Sequence, residues 1–217
     1  MCFSASASFG TAALLFATGG MTTALAQTDQ ERPFAAIPLL FGIQQLIEGL
    51  IWMGLGRGDT QMAGSLAFLY SLFSHLVWPV YMPWATLRAE PLGRRRSLIV
   101  MARAASLALT AYLAFSLWSE PITVQVCAGH LAYAGARQDV FGPWLMLAYV
   151  AATCGSLMLS SHQVLRAFGV AVLVSLGLTV AIYEQWVISI WCFFAALLSF
   201  ILLFHFIQPA WRSMRTA

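Results

Sequence analysis

Seven stretches of this sequence are each long and apolar enough to cross a bilayer, whose hydrocarbon core of about 30 Å takes about 20 residues of helix. They are residues 8–26, 34–55, 62–87, 97–118, 141–159, 165–183 and 187–207. This feature leaves few alternatives. In hydrocarbon every backbone N–H and C=O must be paired inside the protein, so only helices and closed barrels span it. Barrel strands need only about 9–11 residues and alternate in polarity, and these runs do neither. The expected fold is therefore all-α: a polytopic membrane helical bundle of about seven transmembrane helices. Composition agrees, with 60% of the 217 residues hydrophobic and 9% charged. A soluble domain carries about 25% charge, so an ordinary cytosolic enzyme is excluded. No linker is long enough to separate a pair of domains, and residues 1–217 read as one integral membrane domain.

Orientation follows from the basic residues. All 11 are Arg. The absence of Lys removes Schiff-base chemistry and the P-loop lysine. With the N-terminus outside, Arg32, Arg88, Arg94, Arg95, Arg96, Arg166, Arg212 and Arg215 fall on the inner side, and Arg57 and Arg137 on the outer side. Arg103 lies inside the fourth span, near its inner end, where its side chain can snorkel. Positive charge collects on the cytoplasmic side, which predicts N-out and C-in. The partner so implied is the lipid bilayer. Nucleic acid is not expected, because no dense basic face exists to bind it.

Polar side chains inside the spans are the candidates for chemistry. An ionisable group there costs at least about 2.5 kcal/mol on insertion scales and so faces the bundle interior. Gln44 and Glu48 share a face of the second span, with Glu48 about 10 Å below its outer boundary. Ser71, Ser74, His75, Trp78 and Pro79 form one stripe of the third, where Pro79 and Pro83 should free a carbonyl or two. Cys2 precedes the first span, and Cys192 sits about one and a half turns into the seventh, so both thiols belong to the outer half with Glu48 and His75. Cys127 and His130 lie three apart in the longest outer loop, on one face if that piece is a short helix. Cys2 and Cys127 are also a candidate disulfide. His162 and His205 read as structural or surface residues.

Imidazole, thiolate and carboxylate are ligands of zinc and related metals. Glu48 and His75 are thus the candidate catalytic pair, and His75, His130, Cys2 and Glu48 the candidate ligands of a transition metal, zinc or copper. No HExxH, CxxC, EF-hand loop, G-x-S-x-G or P-loop is present to support this by spacing. The first reading is a membrane-embedded enzyme or binding protein with an outward-facing site for a metal or small ligand. The second is a proton-coupled transporter, with Glu48 and His75 titrating along a path; it ranks lower because the inner halves of the spans are poor in polar groups. The third is a structural or accessory subunit whose buried polar groups only specify helix packing.

The opening Met1-Cys2-Phe3-Ser4-Ala5-Ser6-Ala7-Ser8-Phe9, with Ile43-Gln44-Gln45-Leu46-Ile47-Glu48-Gly49 and Phe73-Ser74-His75-Leu76-Val77-Trp78-Pro79, resembles a group of bacterial multipass proteins that begin with an MCFSA-like run. The resemblance covers most of the chain. It implies a multi-pass protein of the bacterial inner (plasma) membrane and carries no activity with it.

Overall fold

A computed structural model describes residues 4–119, 122–134, 142–183 and 186–207. The chain runs through α1 (Ala5–Leu25), α2 (Arg32–Ala35), α3 (Ile37–Gly56), α4 (Thr60–Leu72), a π-helical turn (Phe73–Val77) and α5 (Trp78–Ala89). It continues as α6 (Arg94–Ser119), a hairpin of β1 (Thr123–Cys127) and β2 (His130–Ala134), α7 (Pro143–Val150), a second π-helical turn (Ala151–Gly155) and α8 (Ser156–Leu159). It ends in α9 (Gln163–Tyr183), α10 (Val187–Leu198) and α11 (Phe200–Ile207). One end of the bundle carries the hairpin. The other carries Arg88, Arg94–Arg96 and Arg166.

Among the described residues, five helical stretches are long and apolar enough to cross a membrane: Arg32–Gly56, Thr60–Ala89, Arg94–Ser119, Gln163–Ile182 and Ser189–Ile207. The two remaining expected spans fall short for different reasons. In α1, 21 residues long, Gly, Ser and Thr dilute the apolar character. Trp144–Leu159 is apolar but belongs to the shorter helices.

Helices α1 and α3 pack antiparallel at close range because glycine lines their seam. A Cβ on Gly49 would lie 2.7 Å from the Phe9 ring, one on Gly42 3.0 Å from Phe16, and one on Gly19 2.4 Å from Leu39 Cγ. Small residues allow such an approach where no hydrophobic effect drives helices together. Helix α6 is the opposite case. Its buried residues, Ile99, Ser106, Leu113 and Leu117, form one narrow stripe, and much of the rest of its surface is exposed.

The two prolines of the Thr60–Ala89 stretch explain its hydrogen bonding. In the π-helical turn the N–H of Trp78 reaches back five residues to the carbonyl of Phe73. The Ser74 carbonyl would next take the N–H of residue 79, but Pro79 has none. The Tyr149 hydroxyl of α7 donates to it instead. The Pro79 carbonyl, in turn, loses its α-helical donor to Pro83, and the Ser106 hydroxyl of α6 supplies the bond. Two orphan carbonyls, one in the π-helical turn and one in α5, thus tie this stretch to α7 and α6.

The segment read as a possible short helix around Cys127 and His130 is instead an antiparallel hairpin, with those two residues directly paired. Thr123, Val124 and Val126 favour extended backbone, and Ala128-Gly129 turns the chain with φ of 50° and 79°. Leu131 plugs into a cluster with Ile47, Ile51, Ala67, Tyr70 and Cys192. Tyr133 stacks on Tyr70 with ring centroids 4.8 Å apart. The hairpin therefore lies over the end of the bundle that holds Glu48.

Candidate functional site

Glu48, Gln44 and Gln45 are all completely buried. The α-helical period puts Gln45, Glu48 and Trp52 on one stripe of α3. Gln45 Nε2 donates to Glu48 Oε2 at 3.1 Å, and Ser189 Oγ of α10 donates to Glu48 Oε1 at 2.6 Å. Gln44 turns towards α5, where its Oε1 accepts from Trp78 Nε1 at 2.8 Å. Trp78 is stacked on Phe41 at 4.0 Å, which holds that bond in an apolar wall. The Cys192 thiol, one turn beyond Ser189, has Gln44 and Tyr70 as side-chain hydrogen-bonding neighbours and lies near Glu48.

His75 is held within its own π-helical turn. Its Nδ1 lies 3.0 Å from the Ser71 carbonyl and 2.8 Å from Ser74 Oγ. A carbonyl only accepts, so Nδ1 carries the proton and Nε2 keeps the lone pair. The imidazole faces a small cavity of about 20 Å³ that it shares with Ser74, Tyr149, Trp191 and Cys192. That space suits a single water. A second, apolar cavity of about 40 Å³ shares Tyr149, Trp191 and Cys192 with the first and reaches Trp78 and Phe168. Cys192 therefore stands between the two expected residues, facing His75 on one side and Glu48 on the other.

Three polar atoms at this level have no hydrogen-bond partner among the described residues: Ser8 Oγ, Gln45 Oε1 and Trp52 Nε1. The α1–α3 register, with Phe9 opposite Gly49, puts Ser8 beside the level of Glu48. Buried polar atoms in folded proteins are nearly always paired, so these orphans, two on the Glu48 stripe of α3 and one on α1, mark a place where something polar fits.

The remaining expected ligands lie apart from this network or beyond view. His130 Nδ1 lies 2.9 Å from the Ala128 carbonyl, and its ring packs on Trp186 with centroids 4.8 Å apart. Cys2 lies outside the described residues, as does any bond between it and Cys127. Among the described residues no three His, Cys, Asp or Glu side chains gather as a metal cage. Cys192 is one of the outer-half thiols read from the sequence, and the structure places it beside this network. Ser189 is not legible as a partner of Glu48 in the sequence, since its only signal is a spacing of three from Cys192 on an apolar helix.

A second polar cluster at the arginine end also escaped the sequence. Glu90, at the end of α5, is 3% exposed. It accepts from Ser160 Oγ at 3.0 Å, from the Ser161 N–H at 2.8 Å and from Ser161 Oγ. His162, read from sequence as structural or surface, lies 3.1 Å through Nε2 from the Ala89 carbonyl. Burial pushes the Glu90 carboxyl up. The Ser161 and Ser160 hydrogen bonds and the His162 charge outweigh it and hold the group below its ordinary value of 4.5. This clasp joins the α5–α6 turn to the α8–α9 turn. It is well satisfied and reads as structural.

Comparison with curated proteins and with solved structures finds no match. A family model, by contrast, matches residues 1–216, and the chain belongs to that family, the family of unknown function DUF6629.

Proposed function

We propose that this chain is a membrane-embedded enzyme or binding protein, with an outward-facing site for a small polar ligand or ion centred on Glu48 and His75. In this reading the bundle has seven crossings in a bacterial inner membrane, N-terminus outside and C-terminus cytoplasmic, all within one domain. The hairpin end is the outer end. Trp118 and Trp144, 85% and 82% exposed there, suit an interfacial aromatic belt.

One observation carries the reading: a fully buried carboxylate lies beside three polar atoms that lack partners among the described residues. A packing device has no reason to leave them so, since each orphan costs about 1–3 kcal/mol. A ligand that pairs with them turns that cost into affinity. Glu48 would act as the anion or general base, and His75 Nε2 as the neutral imidazole ligand or proton acceptor.

The test replaces the network by apolar volume. Gln45→Leu with Glu48→Leu should raise thermal stability in detergent, as removal of a strained site usually does. A loss of more than about 2 kcal/mol would identify the network as a packing element and end the proposal. Metal analysis of protein purified without chelator then separates the occupants. A bound ion gives about one zinc or copper per chain, lost in His75→Ala, because removing one imidazole from a small ligand set collapses affinity. A metal-free, folded protein leaves a small polar molecule as the ligand.

A further inference from the structure

Cys154 and Cys192 are both free and buried, one in the π-helical turn Ala151–Gly155 and the other in α10. Both line the apolar cavity of about 40 Å³, and so does Met82 of α5. Tyr149 has both thiols as neighbours. Sulfur-bearing side chains from three parts of the chain thus border one space.

The other polar groups of that wall are already committed. The Tyr149 hydroxyl donates to the Ser74 carbonyl, and the Thr153 hydroxyl donates to the Tyr149 carbonyl. The indole N–H of Trp78 goes to Gln44, and that of Trp191 to the Val172 carbonyl. Neither carboxylate nor imidazole lines this cavity. What the wall offers a guest is sulfur and hydrocarbon. A water there would not find the two to four polar partners it needs. Thiol and thioether are soft ligands, and they suit monovalent copper. Structural zinc takes four ligands, and thioether is not among its usual ones. Cys192 is placed to be the thiolate. It has Gln44 and Tyr70 as hydrogen-bonding neighbours, and Gln44 Nε2 makes no other hydrogen bond among the described residues. An amide N–H in that position bonds more strongly to a sulfur that has gained negative charge.

We infer that Cys154, Cys192 and Met82 form a site for one monovalent copper ion. On binding, the Cys192 thiol loses its proton to solvent and a sulfur–copper bond forms. No electron is transferred. The thiolate cancels the charge of the ion, so the bound group is neutral, and an apolar core holds a compensated charge at far lower cost than a bare one. Cys154 and Met82 complete the ligand set as neutral donors, and the three rotatable bonds of Met82 let its sulfur adapt to the ion. The site adjoins the Glu48 network through Cys192 but needs neither Glu48 nor His75, so it does not rest on the reading proposed for them.

The experiment uses the full chain in mild detergent, kept reduced and anaerobic, and titrates cuprous ion against the chromophoric chelator bicinchoninate. X-ray absorption at the copper edge reads the ligand atoms. Wild type should take about one cuprous ion per chain from the chelator, with sulfur as its neighbours. Cys192→Ser and Cys154→Ser should each weaken uptake by at least about 100-fold, since even the groups that merely support a ligand are worth about 10–100-fold. Met82→Leu, which conserves volume, should weaken it by about tenfold and remove one sulfur from the spectrum. Cys127→Ser, in the hairpin, and His75→Ala should hold the ion as wild type does. If the serine variants do not fold, Met82→Leu carries the test. The inference is overturned if wild type takes no copper, if the core sulfur variants take it undiminished, or if nitrogen and oxygen replace sulfur in the spectrum. Loss of the ion in Cys127→Ser also overturns it. Loss in His75→Ala with retention in Cys154→Ser would place the ion at the Glu48–His75 site, ending this inference and leaving the proposed function standing.

Discussion

Tyr149→Phe removes one hydroxyl and leaves the ring, which keeps its edge contact with Trp191 at 5.8 Å. What is lost is the bond to the Ser74 carbonyl, orphaned because Pro79 stands where the π-helical turn needs a donor. An unpaired buried carbonyl costs about 1–3 kcal/mol. Interhelical hydrogen bonds in membranes average nearer 0.6 kcal/mol, with a maximum of about 1.7. The expected loss is therefore about 1.5 kcal/mol, at the upper end, because Tyr149 is 5% exposed. The cause is testable by a second substitution. Pro79→Ala restores an N–H at the position that leaves Ser74 orphaned. In that background Tyr149→Phe should cost only about 0.5 kcal/mol, a coupling of about 1 kcal/mol. The assay is reversible unfolding in mixed micelles, titrated with sodium dodecyl sulfate and followed by circular dichroism. Additive effects, within about 0.5 kcal/mol, would refute the idea that the proline creates the need for the tyrosine.

Ser106→Ala and Pro83→Ala should couple in the same way, since Ser106 serves the carbonyl that Pro83 leaves bare; the same titration reads it. Gly19→Ala should destabilise by about 1–3 kcal/mol, because its Cβ would meet Leu39 at 2.4 Å, whereas Gly10→Ala, with nothing within 4 Å, should be neutral or slightly stabilising in the same thermal melts. Glu90 is held below 4.5 in the folded protein, so its contribution to stability is complete above that pH and is lost as pH falls through its lowered value. Melting temperature against pH should therefore drop on the acid side, and Glu90→Gln should flatten that limb. For topology, a reporter fused after Ala217 should read as cytoplasmic and a tag at Gly129 should be reachable from outside; the reverse pattern would exchange the two ends of the bundle.

What the sequence disclosed is what the bilayer forces on it. Glu48 and Gln44 stood out because they interrupt an apolar run, and the same energetic pressure buries them. Pro79 and Pro83 announced freed carbonyls, though not which hydroxyls would meet them. Cys192 was legible as an outer-half thiol but not as a neighbour of Glu48, and Ser189 gave no notice at all, since Ser packs in spans without any partner in view. The hairpin escaped because the spacing of Cys127 and His130 suits a helical face as well as a turn, and only Ala128-Gly129 between them favours the turn. The Glu90 clasp joins residues 70 positions apart through loops, where no periodicity exists to bring them together on paper.

The two π-helical turns have a consequence for how this chain tolerates change. Each carries one residue more than an α-helix would use over the same rise, so the turn absorbs that residue while the helix on either side keeps its facing. Deleting one residue from Phe73–Val77 would leave a continuous helix with no gap to close and Trp78 still directed towards Gln44. The same deletion in the uniform α1 would rotate half of that helix by about 100° and break its glycine seam. One-residue length variation among relatives should accordingly be tolerated at residues 73–77 and 151–155, as it is in the loops.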